Sequence, residues 1–502
     1  MFGIVCATRV RPRAEANLEP STVGEEHKVV PTGISSICQS GVCAVDVQRT
    51  ITDPDCNHFR LFLIEPCSRT VLARRDGERW VLPRANIPRW SRIAPNILSK
   101  IRGQLGIQAI VLDELDALAH DSLILAEVID RPQSGNDSSF SWKNLRDLAT
   151  DEFVGEELRT VRALVFEGTT GRGQFSRLGW FSEVLSWTAS HTDVATKQFV
   201  EIKQVNAASS STLIRFATEN GFAVWFKAVA DPSMIEYRVT VKLREYFPDY
   251  LPTLLATHDV WHAWLMEDAG RPLDEMENAR PRLFEEVARH LAELQKASIP
   301  KAASLLVQGC ADLRLSALRA RMPAIMASLE EAVEIPDYGS HTYLRKARIR
   351  ALHQIFKDAA DQLQASSIPD TLVHSDVSTE NILIGDGTCV FADWAEAAVG
   401  NPMANFEQLR IQVAQHHNAA AVHGRLLAAY MRTWSSQLSD SQIRKAFMAT
   451  PPVAIAMYLN TRRDWLTPEK LREPEFVRYA RAMARQMDRA VREYEAREAL
   501  TA

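Results

Sequence analysis

Between Thr371 and Pro402 the chain reads TLVHSDVSTENILIGDGTCVFADWAEAAVGNP. Three short apolar runs, TLVHSDV, NILI and CVFADW, carry His374, Asp376, Asn381 and Asp393 at strand ends and turns. A strand that only fills a core is built from Val, Ile and Leu. Acids and an amide at this density therefore restrict the segment to short strands whose ends meet at a polar site. The GDG at residues 385–387 turns NILI into CVFADW, and that hairpin brings Asp376, Asn381 and Asp393 toward one another.

Such a set suits phosphoryl transfer. One carboxylate must sit beside the attacking hydroxyl to orient it and accept its proton, and one or two hard oxygen ligands must hold Mg²⁺ on nucleotide phosphates. Asp and Asn oxygens suit Mg²⁺, with water filling the remaining octahedral positions. His374 is placed to brace the loop through its ring. The competing reading, acids as strand caps and turn formers, does not explain why spacing, flanking strands and lobe order agree.

The remaining chain supplies that lobe order. With 502 residues it exceeds a single core, and two or three domains are expected. Residues 1–45 lack periodicity and read as a loose arm. Over residues 46–190, strand-like runs (AVDVQRTI at its start, RLFLIE, RTVLARR, RWVLP, AIVLDEL, LILAEVI) surround a helix in which Ile93, Ile97, Leu98, Ile101 and Leu105 share one face before Gly106. DGE makes a hairpin of RTVLARR and RWVLP, RPQSGNDSS is a loop, and SWKNLRDLATDEF and EELRTVRALVFE read as helical. A second β-rich region, 198–278, holds FVEIKQV, TLIRFAT and FAVWFKAV, with an ENG turn, a helix over PSMIEYRVTVKLREYF and a strand over WHAWLMED. Residues 279–502 are nearly all helical apart from the opening segment.

At this point HSDVSTEN…FADW resembles the catalytic loop and metal-binding segment of the aminoglycoside phosphotransferase and choline kinase-like enzymes, small-molecule relatives of the protein kinases. The resemblance implies an α+β, bilobal kinase-like fold with a small β lobe and a large helical lobe. It implies Asp376 as catalytic base, His374 as structural histidine, Asn381 and Asp393 as metal ligands, and ATP (or GTP) with Mg²⁺ as cofactors. DWAEAAVGNP departs from the family's Asp-Trp-acid-x-Ala order: Ala395 stands at the acid's place and Glu396 follows. Ser378 replaces a usual His or Lys, and Glu380 a usual Gly. By the same resemblance Lys227 on AVWFKAV binds nucleotide phosphate and pairs with Glu236, which fits better than Glu245. Met266, Glu267 and Ala269 form a hinge that meets the adenine. Gln295 stands where that family's helix carries His. VNAASSSTLIRF, at the phosphate loop, contains no Gly.

RWVLPRANIPRWSRIAPNILSKIRGQLGI resembles a Nudix segment with its acids gone. Ala85 takes the leading Gly, Ser91 the first Glu, Ser99 and Lys100 the Arg-Glu, Gly103 and Gln104 the Glu-Glu. Metal-assisted hydrolysis needs clustered carboxylates, so a Nudix-like fold without Nudix chemistry is expected. An unrelated α+β domain is the alternative.

Other function classes are excluded or weakened. Net charge is −5, which gives no nucleic-acid footprint and no polybasic membrane anchor. Seven scattered Cys without CxxC spacing fit a reducing cytoplasm. No apolar run approaches the roughly 18 residues of a spanning helix. No Gly-x4-Gly-Lys-Ser/Thr occurs, which removes the P-loop NTPases. HDVWH lacks the Glu of a zinc-protease helix and reads as strand. The expected partner is a small molecule with a hydroxyl group. The alternative is a kinase-like binding or regulatory protein that transfers nothing.

Overall fold

The computed structural model describes residues 56–499 apart from 89–90, 116–120, 131–138, 149, 209, 277–280, 337–343, 386–387 and 417–419. The arm over 1–45, the first strand-like run, nearly all of the 131–139 loop and most of the GDG turn lie outside the described residues.

The N-terminal region is built on a seven-stranded sheet. Its path runs Arg79–Val81, Thr70–Asp76, Cys56–Glu65, Asp121–Asp130, Gln108–Leu115, with Arg84–Pro88 and Phe140–Lys143 pairing alongside. Cys56–Glu65 and Asp121–Asp130 are parallel. Alternation along Cys56–Glu65 sorts its side chains onto two faces. Phe59, Leu61 and Leu63 meet Ile97 and Ile101 of helix Ile93–Leu105, while Phe62 and Ile64 face Val161, Trp180 and Val184. Gly106 ends that helix in the left-handed region at φ 68°, its N–H donating to Arg102 O. The expected hairpin is present, with Arg75 opposite Trp80 and Asp76 opposite Arg79. One expectation is corrected. Ser141, Trp142 and Lys143 form a strand against Thr70–Asp76 and not a helix, because the cross-strand partners Ala73, Leu72 and Val71 outweigh the helical propensity of the adjoining NLRDLATDEF run.

The second region is a five-stranded antiparallel sheet. Its order is Leu254–His258, Ala263–Glu267, Ala223–Val229, Ser211–Thr218, Phe199–Ala208, with helix Ile235–Tyr246 beside it. HDVWH is corrected from strand to turn: His258 closes one strand, Asp259–His262 turn the chain, and His262 takes φ 45°. Ile214, Phe216, Val224, Phe226 and Leu265 of this sheet belong to the same buried cluster as Phe62, Val71, Trp180 and Val184. Gln204 is buried and hydrogen-bonds both backbone groups of Val111 across the junction, accepting from its N at 2.8 Å and donating to its O at 2.9 Å. The first two regions therefore share one core.

The large lobe packs helices Pro281–Ser298, Leu315–Glu334, Lys346–Ala365, Pro402–His416, Ala420–Trp434, Asp440–Thr461 and Pro474–Ala499. Two small sheets interrupt them. One pairs Ile382–Gly385 with Thr388–Phe391 and with Arg271–Pro272, and the other sets Ala397–Gly400 between Ala311–Leu313 and Thr371–His374. Gly270 sits where the chain crosses from one lobe to the other. At φ 110°, a Cβ there would lie 2.1 Å from Ile384 O, so only glycine allows Arg271 to pair with Ile384. No described helix is long and apolar enough to cross a membrane.

Candidate functional site

Lys227 occupies the middle strand of the five, between Leu213 and Trp264, and is 8% exposed. Lys227 is therefore neither on a sheet edge nor open to solvent. Its Nζ touches Glu236 Oε1 in the first turn of the neighbouring helix and Asp393 Oδ1 at 3.1 Å from the large lobe. Glu245, the rival of Glu236, pairs with Lys242 near the surface. Burial opposes the Lys227 charge, but Asp393 and Glu236 hold it protonated. Burial also opposes ionisation of Asp393, yet the Lys227 ammonium holds that carboxyl below its ordinary range. Glu236 is pushed by burial, against the pull of Lys227, up to about 7.

The opposite wall comes from the segment 371–402. Asn381 Nδ2 donates to Asp376 O at 2.9 Å and to Asp376 Oδ2 at 3.3 Å. With its amide nitrogen so committed, the Asn381 carbonyl oxygen is left as the acceptor. His374 Nε2 donates to Ala392 O at 2.8 Å, tying the end of one strand to the residue before Asp393. The ring lies 4.5 Å from that of Trp394 and is kept neutral by burial. Asn405 clamps the His374 backbone, donating to its O at 2.9 Å and accepting from its N at 3.3 Å. Asp393 itself takes φ 61°, a left-handed turn that Asp tolerates better than most residues. Burial raises the Asp376 carboxyl, with His374, Asn381 and Arg462 opposing and Asp393 assisting.

Asp376, His374, Asn381, Asp393, Lys227 and Glu236 are thus brought together. Met266 and Glu267 end the strand Ala263–Glu267, and Ala269 lies just beyond it, where the chain runs on toward the large lobe. Met266 is opposite Trp225, Glu267 is opposite Val224, and the Glu267 N–H donates to Thr253 O at 3.0 Å. The Gly-free VNAASSST stretch is a tight hairpin, with Ala208 opposite Ser211 and Ser210 O accepting from Ala230 N at 2.8 Å. Gln295 is buried in a network with Asn405 Oδ1 (3.2 Å) and the Tyr430 hydroxyl (2.6 Å), a structural post behind the His374 strand. Among the described residues no group of three or more His, Cys, Asp or Glu could hold a metal. The oxygens of Asn381 and Asp393 do fit a hard cation that keeps several waters and phosphate oxygens as its other ligands.

Two features escaped the sequence reading. Arg462, at the end of helix Asp440–Thr461, is buried against Glu396, and burial pushes the Glu396 carboxyl up to about 7 despite that partner. Arg92, just ahead of helix Ile93–Leu105, reaches Glu380 of the Asp376–Asn381 loop at 2.7 Å. An aromatic flank (Tyr458, Trp465) around Arg462 was the one available signal for the first; nothing local marks the second.

Residues 236–444 match the phosphotransferase enzyme family, APH. Solved structures similar to this chain include phosphotransferases and a choline kinase. Macrolide 2'-phosphotransferase MphH from Brachybacterium faecium is 15% identical, with 60% of this chain and 97% of that one covered at a TM-score of 0.41. Choline kinase from Cryptosporidium parvum Iowa II is 13% identical, covering 62% and 96%, TM-score 0.43. Spectinomycin phosphotransferase APH(9)-Ia, in complex with ADP and spectinomycin, is 13% identical, covering 62% and 98%, TM-score 0.39. No curated protein sequence matches the chain. The APH match begins at Glu236, so Lys227 and everything before it stand on the geometry described above.

Proposed function

We propose that this chain is a small-molecule kinase that transfers the γ-phosphoryl group of ATP (or GTP) to an alcohol hydroxyl. The observation that carries the reading is Lys227 Nζ, bridged to Glu236 of the small lobe and to Asp393 of the large lobe at 3.1 Å, opposite the Asp376–Asn381 contact. Asp376 orients the acceptor hydroxyl and takes its proton as the new O–P bond forms and the bond from Pγ to the β-phosphate oxygen breaks. A carboxyl raised by burial is a better proton acceptor than an ordinary aspartate. Lys227 binds nucleotide phosphate as a point charge, with Glu236 fixing its direction. Asn381 and Asp393 would hold Mg²⁺, which neutralises charge on the phosphates when bound. His374 holds the strand and the Asp393 turn in register. Met266, Glu267 and Ala269 form the adenine-side connector.

Calorimetry of nucleotide binding with and without Mg²⁺, on wild type and Asp393→Asn, tests this. Binding that requires Mg²⁺ and is weakened in the variant supports it; no binding to any nucleotide sinks it. A second reading, nucleotide binding without transfer, draws on Ser378 and on the tight hairpin that sets Ala208 opposite Ser211. Mg²⁺-dependent binding with no phosphorylated product across all acceptor classes would favour it. For the N-terminal region we propose a Nudix-like scaffold that serves as a docking base for the small lobe.

A further inference from the structure

Beside Asp376 lies a second polar pair that the phosphate-transfer machinery does not use. Arg462 is 3% exposed and its Nη1 contacts Glu396 Oε1. The other halves of both groups, Arg462 Nη2 and Glu396 Oε2, are buried with no hydrogen-bond partner among the described residues. Arg462 lies close enough to Asp376 to act on its charge, and Glu396 close enough to act on both Asp376 and Asp393. The guanidinium lies 5.3 Å from the ring centroid of Tyr458 and 5.8 Å from that of Trp465.

The unsatisfied donor and acceptor belong to one ion pair, and leaving both without a partner costs more than an ordinary lost hydrogen bond, so such a pair calls for an occupant. The occupant must accept one hydrogen bond and donate one. A hydroxyl does both. An ammonium only donates, and the aromatic faces that would attract it already hold the chain's own guanidinium. A carboxylate or phosphate only accepts and would face Glu396. We infer that Arg462 Nη2 and Glu396 Oε2 bind a second hydroxyl of the acceptor while Asp376 receives the first, so that the substrate is a neutral polyol of sugar type carrying neighbouring hydroxyls. The inference rests on the kinase reading above and names the substrate class of the same site.

The test follows ADP release and, by phosphorus NMR, product formation. The panel holds neutral polyols and sugars, amino alcohols (choline, ethanolamine, aminoglycosides) and hydroxy acids. The same assay is run on Arg462→Lys, which keeps the positive charge but loses the forked donor, and on Glu396→Gln. The expected result is turnover of a polyol, a rise of at least about tenfold in its KM in Arg462→Lys, an unchanged KM for nucleotide, and a urea midpoint near that of wild type. Turnover of an amino alcohol or hydroxy acid in preference to every polyol overturns the inference and leaves the kinase reading standing. So does an unchanged polyol KM in folded Arg462→Lys, since the pair then serves only buried water. Loss of Mg²⁺-nucleotide binding in wild type overturns the kinase reading, and the polyol site with it.

Discussion

The Lys227 triad places one positive charge between two carboxylates, and that imbalance makes a quantitative prediction. Lys227→Met leaves Glu236, 3% exposed, and Asp393 facing each other with no cation. Removing one partner of a buried pair costs about 3–5 kcal/mol, because the remaining charge is left uncompensated. Glu236→Gln leaves Lys227 matched one-to-one with Asp393, keeps a side-chain oxygen for its N–H and removes a carboxylate that burial disfavours, so its cost is at most about 1 kcal/mol. At about pH 8, without nucleotide or Mg²⁺, the two variants should differ by at least about 2 kcal/mol in urea-unfolding free energy. The pH dependence fixes the sign. Burial raises the folded-state value of Glu236 above that of an unfolded carboxyl, up to about 7. The ionised form therefore weakens the fold most above that pH, and the penalty shrinks as pH falls from about 7 toward the ordinary carboxyl range. Without Lys227 the carboxyl rises further, so the deficit of Lys227→Met should shrink at about pH 5.5 as Glu236 takes up a proton. Urea midpoints by tryptophan fluorescence at both pH values measure it. Equal costs for the two variants at the higher pH, or a gap that widens on acidification, would refute the electrostatic account of the triad.

Further outcomes are expected elsewhere. Asp376→Asn should lower kcat roughly 10²–10⁴-fold while its urea midpoint stays at or above wild type, because a buried carboxyl is replaced by an amide; near wild-type turnover removes the base role. Glu396→Gln should flatten the rise in melting temperature as pH drops from about 8 to about 5, since that carboxyl binds its proton more tightly in the folded state; parallel curves for variant and wild type count against it. Gln204→Ala orphans both backbone groups of Val111 and should cost about 1–3 kcal/mol for each, read as a lower midpoint for the N-terminal and small-lobe tryptophans together. Arg92→Ala breaks an ion pair whose partners are 50% and 40% exposed, so it should cost under ~1 kcal/mol, and hydrogen exchange at residues 375–382 should rise in the variant and, for wild type, in high salt.

Much of the site was legible because its residues are local in sequence. Asp376, Asn381 and Asp393 fall within eighteen positions, and a hairpin brings such residues together whatever the surrounding fold. Lys227 and Glu236 were legible only through the family resemblance, which implies a lysine on a small-lobe strand and a glutamate on the helix after it. Arg462 was not. It approaches Asp376 from a helix far along the chain, and Arg463 beside it offers the same side chain, so spacing alone could not choose between them. The strand Phe140–Lys143 was hidden for a related reason: four residues are too few to show a period, and their partner, Thr70–Asp76, lies about seventy positions away. Gln204 reads as an ordinary polar position on an alternating strand, and only the approach of Val111 gives it a task.

The shared core has a consequence for how this protein can be taken apart. A protease cut in the stretch joining Asp193 to Gln198 would sever the chain without freeing either piece, since Phe216, Phe226 and Leu265 would remain wedged against Phe62, Trp180 and Val184. The two fragments should travel as one species through a sizing column and come apart only in denaturant. By the same logic a gene trimmed to begin at residue 198 would yield a sheet with one face stripped bare. What looks on paper like an optional leading module is, physically, the back wall of the five-stranded lobe.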